Sequence, residues 1–131
     1  MPDIRSLAPL LQVFDMPTSV RFYCDMLGFV LVAQSKEGDE FGWCLLRLGE
    51  IELMLNTAYD VGERPPAPDA GRVEAHRDTC LYLSCPDVDA AYRELSGKGL
   101  KLKPPAVAPY GMRQLHLSDP DGYAICLQWP A

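Results

Sequence analysis

The sequence predicts an α+β fold in which two tandem βαβββ modules form a curved mixed sheet around a cleft. Three observations support this prediction. The order strand, helix, strand, strand, strand occurs twice, the two halves superpose at an offset of 72 residues, and each half contains a hairpin with one apolar face. The 131 residues suit a single domain, with module 1 at approximately 5–56, a linker at 57–79 and module 2 at approximately 80–131.

In module 1, residues 7–14 are mostly apolar and predict a first strand. Asp15-Met16-Pro17-Thr18 is typical of a helix start, and Gly28 ends the apolar spacing that follows it. Three further strands are predicted at 29–33, 43–48 and 51–55, with the last two joined by a tight turn at Gly49-Glu50. The linker is rich in proline and charge, which predicts no regular element there, and whether it closes over the cleft stays open.

Module 2 repeats this order, with Asp15 equivalent to Asp87 and Met54 equivalent to Cys126. A strand at 80–85 leads to a helix that begins at Asp87 and ends at Gly97-Lys98-Gly99. We predict an edge strand at 100–103, ended by Pro104-Pro105. Strands at 115–117 and 124–129 then form a hairpin around the sequence Asp119-Pro120-Asp121-Gly122.

Successive residues of a strand alternate between faces, so the hairpins can be sorted into a core face and a second face. The predicted core face comprises Cys44, Leu46, Leu48, Ile51, Leu53, Leu55, Leu81, Leu83, Cys85, Leu115, Leu117, Ile125, Leu127 and Trp129. The second face of module 1 includes Trp43, Arg47, Glu52, Met54 and Asn56, with Arg47 opposite Glu52. The second face of module 2 comprises Cys80, Tyr82, Ser84, Gln114, His116, Ser118, Ala124, Cys126 and Gln128. We expect these mixed faces to line a cleft.

The net charge of −6, with no basic run, argues against nucleic acid and is compatible with a cationic or neutral small molecule. The apolar stretch near the N-terminus is short and lacks a basic leader, so we predict neither a signal peptide nor a membrane span. Five cysteines without a Cys-x-x-Cys pair favour reduced thiols and a cytoplasmic location.

These motifs carry a family resemblance. The repeated βαβββ unit, Asp15 with Leu27-Gly28-Phe29, and the runs 110–113 and 119–122 resemble the vicinal oxygen chelate superfamily of glyoxalases, extradiol dioxygenases and bleomycin-resistance proteins. The resemblance covers nearly the whole chain and is nearest to the bleomycin-resistance-like members that work without metal. It implies a small-molecule ligand and a homodimer.

Metal-dependent members of that superfamily take ligands from the first and last strands of each module. The matching positions here are Ala8, Cys80, Met54 and Cys126, and Ala8 has no donor atom. The usual metal site is therefore absent, unless Gln12 or Glu52 stands in through a shifted register. Cys80, His116 and Cys126 could form a soft-metal site, although cysteine also serves as a small buried hydrophobe.

Two functional hypotheses follow. The first is a non-catalytic protein, without a cofactor, that sequesters an aromatic or cationic compound. Its predicted ligand-binding residues are Trp43, Met54, Cys80, Tyr82, Gln114, His116, Cys126 and Gln128. The second is a divalent-metal lyase, isomerase or dioxygenase with ligands drawn from Gln12, Glu52, Cys80, His116 and Cys126. In this hypothesis the resemblance to dioxygenases implies that His116 is the catalytic acid or base. A protein-interaction module is a third possibility. His76, in the linker, is expected to be solvated.

Overall fold

The computed structural model describes residues 1–60 and 62–131. The chain divides into two compact units, unit 1 from Met1 to Pro68 and unit 2 from Asp69 to Ala131. Each unit contains one four-stranded mixed sheet with at least one helix, so the predicted α+β class is confirmed. Val61, in the predicted linker, lies outside the described residues.

Unit 1 has the sheet order β1-β4-β3-β2, with β1 parallel to β4 and the other pairs antiparallel. Its elements are β1 (Leu10–Gln12), α1 (Met16–Arg21), a π-helical continuation (Phe22–Met26), β2 (Val30–Gln34), β3 (Trp43–Leu48) and β4 (Ile51–Asn56). Gly28 ends the helical stretch in the left-handed region, with φ of 87°, as its place in the sequence predicts.

Unit 2 has the equivalent order β5-β8-β7-β6, again with one parallel pair, β5 with β8. Its elements are α2 (Ala70–Ala75), a 3₁₀ turn (His76–Asp78), β5 (Cys80–Ser84), α3 (Val88–Gly97), β6 (Ala106–Val107), β7 (Met112–Ser118) and β8 (Ala124–Pro130). The offset of 72 is visible in the parallel pairs, because Leu10 pairs with Met54 and Tyr82 pairs with Cys126.

The alternation of faces along each strand predicts the buried side correctly over most of both hairpins. Buried side chains on the predicted core faces are Cys44, Leu46, Leu53, Leu55, Leu115, Leu117, Ile125 and Leu127. Leu48 and Ile51, which flank the Gly49-Glu50 turn, are exposed, as is Trp129 near the chain end, so their prediction as core residues is wrong. They lie where each hairpin extends past the buried part of its sheet.

The prediction of a linker without regular structure is wrong for residues 70–78. Asp69 accepts a 2.9 Å hydrogen bond from the Arg72 backbone N–H and starts α2. His76 then stacks on Tyr123 with ring centroids 4.0 Å apart, and its Nδ1 lies 2.7 Å from the Asp121 carbonyl oxygen. The expectation of a solvated His76 is therefore also wrong, because a distant hairpin loop supplies its partners.

The predicted edge strand at 100–103 is corrected as well. The edge strand of unit 2 is β6, two residues after Pro104, and it pairs with Arg113 and Gln114 of β7. Extending this register would place Pro104 opposite His116, and proline has no N–H to continue the ladder. Residues 100–104 therefore run beside β7 without pairing to it.

Candidate functional site

A cavity of about 560 Å³ lies in unit 2 between residues 100–108 and β7. This size is within the range of small-molecule sites. The lining residues are Leu100, Lys101, Leu102, Lys103, Pro104, Ala106, Val107, Ala108, Gln114, His116, Leu117 and Ser118. We call this cavity the β7 pocket. Its wall of aliphatic side chains is interrupted by a small number of polar groups.

Two polar residues that line the β7 pocket, Gln114 and His116, belong to a hydrogen-bonded network. Gln114 Nε2 donates to Tyr110 Oη at 2.6 Å and to Gln128 Oε1 at 2.9 Å. Gln114 Oε1 lies 3.3 Å from His116 Nε2, and an amide oxygen only accepts, so Nε2 carries the hydrogen of this bond. Gln114 is buried, and its two bonds through Nε2 hold its amide plane in one orientation.

The network brings together three of the predicted ligand-binding residues, namely Gln114, His116 and Gln128. Gln114 and Gln128 lie on the same face, as alternation predicts, and the register of β7 and β8 makes them direct partners. Sequence reasoning omitted Tyr110, Lys101 and Lys103. The proline pair after Lys103 was the available signal, because it predicts a gap in the strand ladder where a pocket can open.

Cys80, Tyr82 and Cys126 lie on the neighbouring strands β5 and β8 of the same sheet. Burial raises the pKa of both thiols, and a hydrogen bond with Tyr82 partly offsets this for Cys80. Tyr82 is exposed, and its pKa is raised by nearby Cys80 first and then by Tyr110. Cys126 is 0% exposed and lies in the sheet between its strand partners Tyr82 and His116, so the structure leaves its side chain no surface for a ligand, and its role as a ligand-binding residue stays a prediction.

In unit 1, Trp43 and Met54 lie on paired strands. Trp43 is opposite Asn56 and Met54 is opposite Leu45, which places these four half-buried side chains on one face. Asn56 also donates to Gln12 Oε1 at 3.2 Å. The predicted pair between Arg47 and Glu52 is present at 2.9 Å. A smaller cavity of about 240 Å³ lies elsewhere in this unit, beside Met16, Phe41 and Tyr59.

The donor set does not fit the metal centre that the superfamily resemblance implies. Ala8 has no donor atom, and Met54 offers only a thioether to a hard or borderline cation. Within residues 1–60 and 62–131, no three His, Cys, Asp or Glu side chains are grouped so that they could hold a metal ion. His116 is directly opposite Cys126, but its Nε2 is directed to Gln114.

Comparison with known proteins gives the family. The profile of the Glyoxalase/Bleomycin resistance protein/Dioxygenase superfamily matches residues 5–127, so the chain belongs to that superfamily. The protein YaeR of Escherichia coli strain K12 is 30% identical over 120 residues, which cover 85% of this chain and 84% of YaeR.

Solved structures share the fold. A bleomycin-binding protein in complex with bleomycin superposes with a TM-score of 0.72 at 22% identity, covering 98% of this chain and all of that one. TnmS3, an antibiotic-binding protein from Streptomyces sp. CB03234, superposes with a TM-score of 0.66 at 27% identity, covering 99% of this chain and all of TnmS3. In the described part of the chain, no helix has the length and apolar character needed to cross a membrane.

Proposed function

We propose that this protein binds a small organic molecule in the β7 pocket and releases it chemically unchanged. The observation that carries the proposal is the pocket itself, with about 560 Å³ of space, aliphatic walls and an oriented Gln114–His116 pair. This combination of apolar surface with few, fixed polar groups is typical of ligand sites. The bleomycin-binding and antibiotic-binding structures that share the fold also support it.

The chemistry of the two thiols on the same sheet, Cys80 and Cys126, supports binding without catalysis. The thiolate is the nucleophilic form of cysteine, and burial raises the pKa of Cys80 and of Cys126, so both are neutral thiols near pH 7. His116 already shares a hydrogen bond with Gln114, which suits a residue that orients a ligand. The homodimer and the cytoplasmic location stay predictions.

The test is a small-molecule screen observed through backbone amide NMR shifts. We expect bound compounds to shift the amides of β7 and of residues 100–108, and mass spectrometry to recover those compounds unchanged. Val107 is an exposed edge-strand residue that lines the pocket, so Val107→Trp fills the space and abolishes these shifts.

Val30→Trp is the matched control, because Val30 is an exposed valine on the edge strand of unit 1. It leaves binding intact. Compounds that bind Val107→Trp as well as they bind the unmodified protein would place the site elsewhere and refute the proposal. Chemical conversion of a bound compound that is lost in His116→Gln would refute the non-catalytic part.

A further inference from the structure

We infer that the β7 pocket selects an organic anion, a carboxylic acid attached to an aliphatic body, over neutral and cationic molecules of the same shape. This inference rests on the proposed function and specifies its ligand class. The charge of the pocket lining, the exposed backbone edge of β7 and the aliphatic walls support it independently.

The lining carries positive charge in an acidic protein. Lys101 and Lys103 are the charged residues among those that line the pocket, and the lining contains no carboxylate within the described residues. Some other cations of unit 2 have carboxylate partners, as Arg113 has Asp89 and Lys98 has Glu94. Across residues 1–60 and 62–131, neither Lys101 nor Lys103 forms an ion pair.

Local charge decides the ligand preference here, although the whole chain has a net charge of −6. Salt screens charges beyond about 8–10 Å at physiological ionic strength, so the two rim lysines act on a bound molecule more strongly than distant carboxylates do. A cationic ligand, with which the net charge is compatible, therefore matches this lining less well than an anion does.

The backbone of β7 adds donors on the same side. Asp119 N–H bonds to the Tyr123 carbonyl and Ala131 N–H bonds to the Gly111 carbonyl, so odd-numbered residues of this stretch direct their backbone groups to β8. Even-numbered residues face the other way, as the bond from Ala108 N–H to the Met112 carbonyl shows.

The pairing of β6 ends at Gln114, so among the described residues no strand covers the backbone of His116 and Ser118 on this edge. Both residues line the pocket. Their two N–H groups and the Ser118 hydroxyl can all donate, and a carboxylate accepts several such bonds. The Gln114 acceptor oxygen is already bonded to His116, so the oriented side chain does not oppose an anion.

The remaining walls determine the body of the ligand. Leu100, Leu102, Pro104, Ala106 and Val107 give an aliphatic surface, and the described lining contains no Phe, Tyr or Trp on which a ring would stack. Burial of apolar area is therefore the main source of affinity, and the anionic group sets orientation and selectivity.

The experiment uses three ligands of nearly equal shape: adamantane-1-carboxylate, adamantane-1-carboxamide and 1-adamantylmethylammonium. Amide NMR titration of the full chain gives a dissociation constant for each from the shifts of β7 and residues 100–108. We expect the carboxylate to bind tightest and the ammonium weakest. Added salt weakens binding of adamantane-1-carboxylate and leaves binding of the neutral adamantane-1-carboxamide unchanged.

Lys101→Gln and Lys103→Gln each raise the dissociation constant of the carboxylate ligand by about two- to fivefold, as expected for exposed charge pairs. Neither variant changes the dissociation constant of the carboxamide ligand. Lys36→Gln, an exposed lysine of unit 1 outside the lining, is the control and changes neither. Equal or tighter binding of the amide or the ammonium at these resonances overturns the anion inference and leaves the proposed function standing. If neither the adamantane series nor the wider screen shifts the pocket resonances at millimolar concentration, the proposed function itself fails.

Discussion

Unit 1 and unit 2 have the same strand order, but their edge strands differ. In unit 1 the edge strand β2 has five residues, Val30–Gln34. Adding the offset of 72 places its counterpart at 102–106, which contains Pro104 and Pro105, and the observed β6 has two residues that begin at Ala106. Unit 1 thus has a full edge strand, whereas unit 2 has a two-residue edge strand and contains the β7 pocket beside it.

The β3–β4 hairpin of unit 1 and the β7–β8 hairpin of unit 2 also differ, in the length of their connecting loops. The Gly49-Glu50 turn of unit 1 is short, while the loop of unit 2 runs from Asp119 to Tyr123. This longer loop passes close to Val73 of α2 and contacts His76. Asp119 Oδ1 accepts from the backbone N–H groups of Asp121 and Tyr123, both at 2.9 Å. The two units therefore share their sheet order and differ in their loops and edge strands.

Of the predicted differences between the two hairpins, the largest is the loss of stability on replacing the turn glycine, Gly122 in unit 2 or Gly49 in unit 1, by alanine. A Cβ on Gly122 would lie 2.6 Å from the Val73 carbonyl oxygen, and its φ of +87° is unfavourable for any other residue. Gly122→Ala should therefore lower the free energy of unfolding by about 3–5 kcal/mol, the sum of steric and backbone terms. Urea denaturation measures it.

Gly49→Ala is the matched variant. Gly49 also has positive φ, at +59°, but its added Cβ would meet no atom within 4 Å. The expected loss is about 1–2 kcal/mol from the left-handed backbone alone. Equal losses at the two glycines would show that the contact with Val73 does not hold the longer loop.

His76 supports the loop of unit 2 between Asp119 and Tyr123. His76→Ala removes both the stack on Tyr123 and the bond to the Asp121 carbonyl, and should cost about 1–3 kcal/mol. His76→Phe keeps a stacked ring and should lose about half as much, since only the hydrogen bond is removed. Thermal and urea unfolding give both values. A His76→Ala variant as stable as the unmodified protein would mean that the stack contributes nothing.

The smallest expected effect lies at the ion pair between Arg113 and Asp89, which joins β7 to α3. Arg113 donates to both carboxylate oxygens of Asp89, at 2.7 and 2.9 Å, and this pairing lowers the pKa of Asp89. A pKa lower in the folded than in the unfolded state contributes stability above the unfolded value, and that contribution is lost as pH falls through the folded value.

Arg113→Gln should therefore be less stable than the unmodified protein at neutral pH, and the difference should disappear in acid as Asp89 is protonated. Urea unfolding at several pH values measures the difference. Arg21→Gln is the control, since in the described residues Arg21 contacts the Thr18 hydroxyl and no carboxylate. A difference for Arg113→Gln that persists unchanged at low pH would contradict the assigned role of Asp89.

The sequence by itself determined the repeat, most of the order of elements along the chain and the buried face of the two hairpins. Alternation along a strand is a local backbone property, so it was enough to place Leu53 and Ile125 inside and, with the turn at Gly49-Glu50, to pair Arg47 with Glu52. The same alternation placed Gln114 and Gln128 on one face. The offset of 72 likewise required nothing beyond matching motifs, because each repeat folds the same local pattern into the same sheet.

Only the tertiary structure decided where a ligand can fit. Parity assigned Cys126 to the polar face but could not show that its neighbours bury it completely. It also could not show that Lys101 and Lys103 border a cavity, or that His76 meets a ring 47 positions away in the chain. These features depend on contacts between segments distant in sequence, which no local periodicity records.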